Sequence, residues 1–580
     1  AGADQISGKS KGYNMSWIYG FLHKEQEHAP ATALRETLAE YHSPALDVFA
    51  GGHPQTLQSF DYPGKKGVKV FVMGNPILRS GDDYSYPTAE DWTMLLASEA
   101  RLQALDGHWL LLIANRQAVV AYNDSLCKRS LYIHEDESRI FFTSDLELLR
   151  QVCRPSLDMH LFGAYWHSIF PPLVATSNFP PTHKSCYKDV QMLGTGGKAE
   201  ITRSGLKMSL KLWNPDTQPM DLEQRMANMT LLPFRAGKKV TLGLSGGMDI
   251  RPLLAIILGA KQQVSAVHTG SDKISDYRVA ASIAKHLRIP FRFLSPEDYG
   301  GGWDQACQYL ARRGLGFNPV NNDSEGYYPI INKDCDFFMT GYFGELYRFR
   351  FLPAYLASVV KSRRMNYRAL ARIFYRDPPS FFVPDARRQM QQGYWSELKE
   401  NAALMPPSKD MPNPMWLHLF FVRYGLRRII MPGMSWLDTL LVDHMPWLQS
   451  SIISGHWSYG FVRQLNEGLH RRLVKRHCPA LEVFPISLGD VSAPYSTRQI
   501  PMKIKTWLHY KGKPLLDLNR NYIFMRENKA HILELRQDSA TRNDPVIDQK
   551  RLDEVINGFY NGDNSQANTL LSYLSYALGK

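Results

Sequence analysis

The chain has 580 residues, 44% hydrophobic and 21% charged, the proportions of an ordinary globular protein with two large or several smaller domains. No run approaches the ~20 apolar residues of a membrane span. The six cysteines form no CxxC pair, so neither a zinc ribbon nor a disulfide framework is indicated and a reducing cytoplasm is the plain expectation. The net charge of +13 suits anionic partners, a nucleotide among them, or a solvated basic surface, and no Lys/Arg–aromatic motif of nucleic-acid binding is present.

In chain order, the first fourteen residues, AGADQISGKSKGYN, are polar and read as an expression remnant or a flexible arm ahead of Met15. From 16 to about 152, short strand patterns dominate, at 68–73, 109–114, 118–122, 130–134 and 139–143, with turns between them. Pro171, Pro172, Pro180 and Pro181, followed by Gly194, Gly196 and Gly197, place a domain transition within 170–220. A different pattern begins at Lys238. Strands at 240–244, 264–268 and 291–294 alternate with helices at 252–258 and 276–287. Such alternation predicts a parallel sheet with ligands at the strand C-termini. Beyond about 352 the chain reads as mainly helical.

The most informative segment is Val240-Thr-Leu-Gly-Leu-Ser-Gly-Gly-Met-Asp-Ile-Arg251. A strand ends in Ser245-Gly246-Gly247 and a helix starts at once. Glycines let backbone approach phosphate oxygens, and free N–H groups at a helix start favour an anion. Asp249 would repel a bare phosphate, but suits a Mg²⁺ held between itself and phosphates. Pro252 is tolerated in the first helical turn. The plainer alternative is a tight strand–helix turn with a capping Asp.

This loop resembles the SGGxDS pyrophosphate loop of asparagine synthetases and related ATP pyrophosphatases. The resemblance continues in order along the chain. Asp276-Tyr-Arg-Val-Ala280 is similar to that family's helix after the second strand, and Thr340-Gly341-Tyr342-Phe343-Gly344-Glu345-Leu346 to its SGEGxDEL signature. Ser435-Trp436-Leu437-Asp438 is similar to its PFLD segment. Leu105-Asp106-Gly107, Asn123-Asp124 and Arg129-Ser-Leu-Tyr132 resemble its N-terminal amidohydrolase-like domain. The resemblance implies an α/β and α+β architecture. A nucleophile-hydrolase-like sandwich (15–205) would precede a parallel-sheet ATP-pyrophosphatase domain (206–580) with a helical C-terminal extension. It implies ATP and Mg²⁺, with Leu244, Ser245, Gly246, Gly247, Asp249, His268 and Gly341 around the nucleotide, and Asp249 and Glu345 on the metal.

Glutamine-dependent members begin Met-Cys-Gly-Ile, the Cys being the glutaminase nucleophile. Here Met15-Ser16-Trp17-Ile18 stands in its place, and a serine is a far weaker nucleophile than a thiolate. The same loss marks β-lactam synthetases, carbapenam synthetases and lasso-peptide cyclases, which use a substrate amine. Tyr342 falls where the lactam-forming enzymes carry a catalytic Tyr. It is expected to take a proton from the amine, oriented by a carboxylate for which Asp377 is the candidate. The family's catalytic lysine would fall near His470. Lys475 is the nearest lysine, and the cluster His470, Arg471, Arg472, Lys475 and Arg476 either replaces it or is a solvated helix face.

The expected function is ATP-dependent amide-bond formation through an acyl-adenylate, first of all macrolactam closure of a lasso-type precursor peptide. A leader-peptide-processing protease would then be a partner. The alternatives are a small-molecule lactam synthetase, an ammonia-dependent amidation enzyme and a catalytically dead scaffold.

Overall fold

Strand β1 (Trp17–His23) is buried at every position but the last, which a strand can be only if both of its faces are covered. The computed structural model shows how. It describes residues 16–25, 32–165, 182–216, 218, 220–299, 301–315, 318–320, 323–348, 364–427, 441–457, 467–488, 491–510 and 516–580. The arm at 1–14, Met15, the four transition prolines and the 435–438 segment lie outside these residues.

Thirteen strands build the first unit: β1, β2 (Ala39–His42), β3 (Leu46–Gly51), β4 (Leu57–Asp61), β5 (Lys69–Ser80), β6 (Asp83–Ser85), β7 (Asp106–Ala114), β8 (Ala118–Asn123), β9 (Tyr132–Glu135), β10 (Arg139–Thr143), β11 (Val190–Met192), β12 (Lys198–Thr202) and β13 (Gly205–Ser209). They form two antiparallel sheets, ordered β11-β9-β10-β1-β3-β2 and β13-β12-β8-β7-β5-β4, with β6 paired to β5. Alternation along each strand sets the layers. Ile18, Leu22, Leu46 and Val48 meet Phe71, Met73, Leu110 and Leu112 between the sheets. On the outer face of the second sheet, Val70, Val72 and Trp109 pack on Trp92 and Leu95 of the helix Ala89–Leu96. The predicted strands from 68 to 143 are all present, and the sandwich extends through Ser209, slightly past the expected boundary at 205.

The outer face of the first sheet holds a surprise for the sequence reading. Tyr19, Phe21, Phe49 and Phe141 share a core with Phe524, Ile532, Leu552, Ile556, Leu570 and Leu574 from the C-terminal helices. The C-terminal helices thus share a core with the first unit, meeting its helices Leu146–Cys153 and Met159–Tyr165 through the Arg150–Gly579 bond and the Phe162–Tyr576 ring contact. The same core also runs through a helix crossing, Met159–Tyr165 on Pro384–Ala403. Gly163 and Gly393 make that crossing possible, because a Cβ on Gly163 would lie 1.9 Å from the Met390 carbonyl oxygen.

The second unit is a parallel sheet ordered β16-β15-β14-β17-β18, from β14 (Val240–Gly243), β15 (Ser265–Thr269), β16 (Phe291–Leu294), β17 (Phe337–Met339) and β18 (Val442–His444). The helices Arg251–Gly259 and Ser275–His286 sit where the pattern predicts. Strand β18 and a hairpin, β19 (Ile486–Leu488) with β20 (Val491–Ala493), interrupt the region expected to be helical. Chain order reverses between β14 and β17, the switch point at which parallel sheets open a crevice at their C-terminal edge.

The two units are joined by a polar seam. Asp106 Oδ1 accepts the Ser451 N–H at 2.9 Å at the start of the helix Ser450–Trp457. The Gly107 N–H donates to Gln449 Oε1 at 2.7 Å, and buried Lys128 donates to the Leu448 carbonyl at 3.0 Å. Burial pushes the Lys128 ammonium below its usual pKa, against the opposing pull of Asp124 and Asp106.

The glycine crossing gives a direct test. Gly163→Ala must force the two helices apart, an overpacking cost of roughly 1–3 kcal/mol. Limited proteolysis should then release the C-terminal helices before the parallel-sheet domain is cut. An unchanged melting curve and cleavage pattern would show that this contact is not close in solution.

Candidate active site

A pocket of about 280 Å³ opens at the C-terminal ends of β14, β15 and β17. Its lining includes Leu244, Ser245, Gly247, Asp249, His268, Gly341, Tyr342 and Glu345. Eight of the residues singled out from the sequence thus converge from three segments.

Two loops are pressed against each other. A Cβ on Gly341 would lie 2.8 Å from the Ile250 nitrogen, and one on Gly344 would lie 2.6 Å from the Asp249 Cβ. Only glycine fits at either point, so Gly341 serves loop-on-loop packing as well as lining the pocket. Between them Phe343 takes φ 69°, in the left-handed region that a bulky residue rarely adopts.

Gly246 departs from expectation. Its N–H donates to Asp276 Oδ1 at 3.0 Å, its carbonyl accepts from Ser487 N and Arg251 NH2, and a Cβ would strike Ser487 and Val279. It is a packing glycine under the β19–β20 hairpin and does not line the pocket. Arg251, fully buried, fastens that hairpin by donating to the carbonyls of Phe484 and Pro485. Ser245 Oγ accepts the Gly247 N–H at 3.2 Å, which sets the loop's curvature.

Asp249 is the electrostatic centre. Arg348 NH2 lies 2.5 Å from Oδ2 and His470 Nε2 lies 3.2 Å from Oδ1. Burial works against ionisation, yet the Arg348 guanidinium and the His470 bond hold this carboxyl below the ordinary carboxylate range. Arg348 also reaches Glu467 at 3.5 Å, and Glu467 pairs with Arg471 at 2.8 Å. The His470 ring stacks on Trp447 at 4.5 Å and 15°, and Trp447 Nε1–H donates to the Asp249 carbonyl at 2.9 Å. Arg348 and Trp447 were not found by sequence reasoning, because their contacts to Asp249 span 99 and 198 residues. His470 was marked as the register of the family lysine, and the structure puts it at the site.

Lys475 and Asp377 are corrections. Lys475 follows His470 by five residues on the helix Gly468–His477, about 140° around its axis, and it is exposed while His470 is buried. Asp377 is exposed and accepts from Tyr375 and Gln391 at 3.1 and 3.3 Å, and neither it nor Lys475 lines the pocket. Tyr342, half exposed at the rim, hydrogen-bonds instead with the hydroxyl of buried Tyr327. Burial, with Tyr328 and Tyr342 as neighbours, pushes Tyr327 far above its usual pKa, so it stays a neutral phenol.

Two buried polar atoms in the lining lack a hydrogen-bond partner, His268 Nε2 and Thr340 Oγ1. The other ring nitrogen, His268 Nδ1, lies 2.8 Å from the Leu244 carbonyl, which requires Nδ1–H as donor. His268 Nε2, on the far side of the ring from that bond, is buried without a hydrogen-bond partner.

The charges bear on a metal. Asp249, Asp276 and Glu345 are part of the pocket's lining, which holds no Lys or Arg among the described residues, while Arg348 pairs with Asp249 from behind it. Three carboxylates would repel a polyphosphate unless a divalent cation stood between. No group of three or more His, Cys, Asp or Glu able to hold a metal occurs among the described residues. Mg²⁺ on a nucleotide, however, needs only one or two carboxylates, the phosphates and water supplying the rest. Asp249 and Glu345 fit that role, with Arg348 and His470 orienting Asp249 from behind.

In the first unit, Ser16 is buried, its hydroxyl 2.5 Å from Thr56 Oγ1 and accepting the His53 N–H at 2.9 Å. None of the six cysteines forms a disulfide. No helix among the described residues is long and apolar enough to cross a membrane.

No family model and no curated protein matches the chain. Among solved structures, it is similar to glutamine phosphoribosylpyrophosphate amidotransferase from B. subtilis complexed with ADP and GMP. Identity is 11%, coverage 48% of this chain and 59% of that one, and the TM-score 0.19. It is also similar to the allosteric regulatory enzyme of purine biosynthesis, at 11% identity, 50% and 76% coverage and a TM-score of 0.20. The chain spans about three-fifths of the first of these. Likenesses this remote carry no functional weight.

The Asp249–Arg348 pair gives a prediction with a pH signature. Because the folded carboxyl titrates below its unfolded value of ~4, the pair stabilises above that value and is lost as pH falls through the folded one. Arg348→Met should cost about 1.5–3 kcal/mol near neutral pH, and the deficit should shrink below pH ~4. A deficit that does not change with pH would place Arg348's worth elsewhere.

Proposed function

We propose that the chain joins a carboxylate to an amine at the expense of ATP, releasing AMP and pyrophosphate. The convergence of Ser245, Gly247, Asp249, His268, Tyr342 and Glu345 at the switch point of a parallel sheet supports this reading. The substrate carboxylate attacks the α-phosphorus, the bond to the β,γ-phosphates breaks, and pyrophosphate leaves. The amine then attacks the acyl carbon, AMP departs, and the amine proton passes toward Tyr342, whose hydroxyl is held by Tyr327. Mg²⁺, when bound, neutralises phosphate charge and stabilises the leaving pyrophosphate. Asp249 and Glu345 would hold it, the Ser245–Gly247 turn would face the phosphates, and His268 would line the nucleotide's side of the pocket.

The first unit does not supply ammonia in this reading, since Ser16 is a weak nucleophile tied into an internal hydrogen-bond pair. The amine therefore comes with the substrate. Intramolecular closure of a precursor peptide in a reducing cytoplasm, after a protease has removed its leader, is the preferred form. A small-molecule lactam is the nearer alternative if Tyr342 proves catalytic. Asp249's existing pair with Arg348 favours a second reading, a binding scaffold that holds nucleotide without turnover.

ATP–pyrophosphate exchange against a panel of carboxylate substrates separates these. The ligase predicts exchange that Asp249→Asn cuts by ~10²-fold or more. Tyr342→Phe should preserve exchange while lowering amide formation by ~10²–10⁴-fold. Nucleotide binding with no exchange on any substrate would favour the scaffold. ADP and phosphate as products would contradict adenylation.

A further inference from the structure

Apart from the candidate active site, a second cavity of about 210 Å³ lies in the polar seam between the two units. The sandwich contributes Arg79 from the end of β5 and Asp106 from the start of β7. The segment that follows β13 contributes Lys211, Trp213 and Asp216. Ser450, Ser451 and Ser454 of the helix Ser450–Trp457 also belong to the lining. The cavity is below the roughly 300–1,000 Å³ of sites for drug-sized ligands, so its occupant is a smaller molecule.

The charges of the lining cancel, Arg79 and Lys211 standing against Asp106 and Asp216. Asp106 is 2% exposed, and its Oδ1 is taken by the Ser451 N–H. Its Oδ2 is buried without a hydrogen-bond partner. Lys128 is near enough to feel the charge of Asp106, but its ammonium donates to the Leu448 carbonyl and to Gln449 Oε1. A buried carboxylate oxygen without a donor is a cost to the fold that a ligand N–H can remove. Arg79 faces Asp216 at 3.7 Å, an ion-pair contact too long for a hydrogen bond, so its guanidinium keeps donors for a second carboxylate. Lys211 donates to Gln103 Oε1 at 3.1 Å and has N–H groups to spare. Ser450 Oγ accepts from Trp213 Nε1 at 2.8 Å and Ser454 Oγ from the Asp216 N–H at 3.1 Å, so both serve those bonds as acceptors and keep their own O–H.

An acceptor that needs a donor, set in one lining with cationic donors that need an acceptor, matches a zwitterion. We propose that this cavity binds a small free amino acid, its ammonium at Asp106 and its carboxylate at Arg79 and Lys211. A plain anion would be repelled by the two carboxylates, and a plain cation by Arg79 and Lys211. Both units supply lining groups, so the occupant ties them together across the seam. The helix at this cavity follows closely on Trp447, whose indole N–H holds the Asp249 carbonyl. The amino acid therefore reaches the Asp249 cluster through the seam, as a regulatory ligand would.

Isothermal titration of the full chain with each of the common free amino acids tests this. At least one should bind with a Kd of about 1 mM or tighter. The same compound without its α-ammonium, or with its carboxylate amidated, should bind at least ~10-fold more weakly. Asp106→Asn keeps the acceptor for the Ser451 N–H and should weaken binding at least ~10-fold, as should Arg79→Gln. Glu345→Gln should leave it unchanged, because Glu345 lines the other pocket. If circular dichroism shows the Asp106 and Arg79 variants misfolded, Lys211→Glu, at an exposed position, should still weaken binding. No binding by any amino acid, or wild-type affinity in the variants, would overturn the proposal. Equal binding by the acid that lacks the ammonium would make this a plain anion site and overturn it as well. Loss of binding in Glu345→Gln would place the amino acid in the candidate active site, with the same consequence.

Discussion

Trp447 stands where the sandwich and the parallel sheet meet, and the candidate site is assembled against it. Its indole N–H holds the Asp249 carbonyl, its ring supports His470, and its own carbonyl accepts the Tyr347 hydroxyl at 2.8 Å. The residues that follow it are held from the other side. Leu448 and Gln449 bond Lys128 and Gly107, and Ser451 bonds Asp106. A short segment is thus gripped by one unit while it contacts Asp249 and His470 of the other. This gives the first domain a use that does not depend on glutamine chemistry. The Leu105-Asp106-Gly107 and Asp124-to-Arg129 motifs are anchoring points, and buried charges such as Lys128 are tolerated there because Asp124, Leu448 and Gln449 satisfy them.

Charge balance explains why Asp249 can remain an anion in a largely buried place. Arg348, Glu467 and Arg471 form an alternating chain behind it, so no single carboxylate or guanidinium is left alone. The pocket in front is acidic, with Asp276 and Glu345 facing the same space. A site neutralised behind and acidic in front suits a metal-bound polyphosphate better than a bare anion.

Much of this was readable from the chain. The Ser245–Gly247 loop and its flanking strand and helix follow from short-range rules, a buried apolar strand, glycines and a helix start. The sandwich strands followed from alternation and turns. What failed depended on distance. Amphipathic periodicity at 516–580 shows that one face of each helix is apolar, but not that this face shares a core with the first unit. Arg348 carries no local mark of its bond to Asp249. Lys475 and Asp377 were placed by register with a family across loosely matching segments. A five-residue slip on a helix is enough to turn a side chain from pocket to solvent. Gly246 shows a subtler limit, since a glycine demanded by Ser487 and Val279 reads in sequence just like one demanded by a phosphate.

The central claim is that the crevice at Asp249 is a metal–nucleotide site. A crystal structure of the protein with Mg²⁺ and α,β-methylene-ATP tests it most directly. The account predicts the β,γ-phosphates at the Ser245–Gly247 turn, with a cation bridging them to Asp249 and Glu345. Nucleotide density elsewhere, or an empty crevice with the Asp249–Arg348–His470 cluster unchanged at saturating nucleotide, would contradict it.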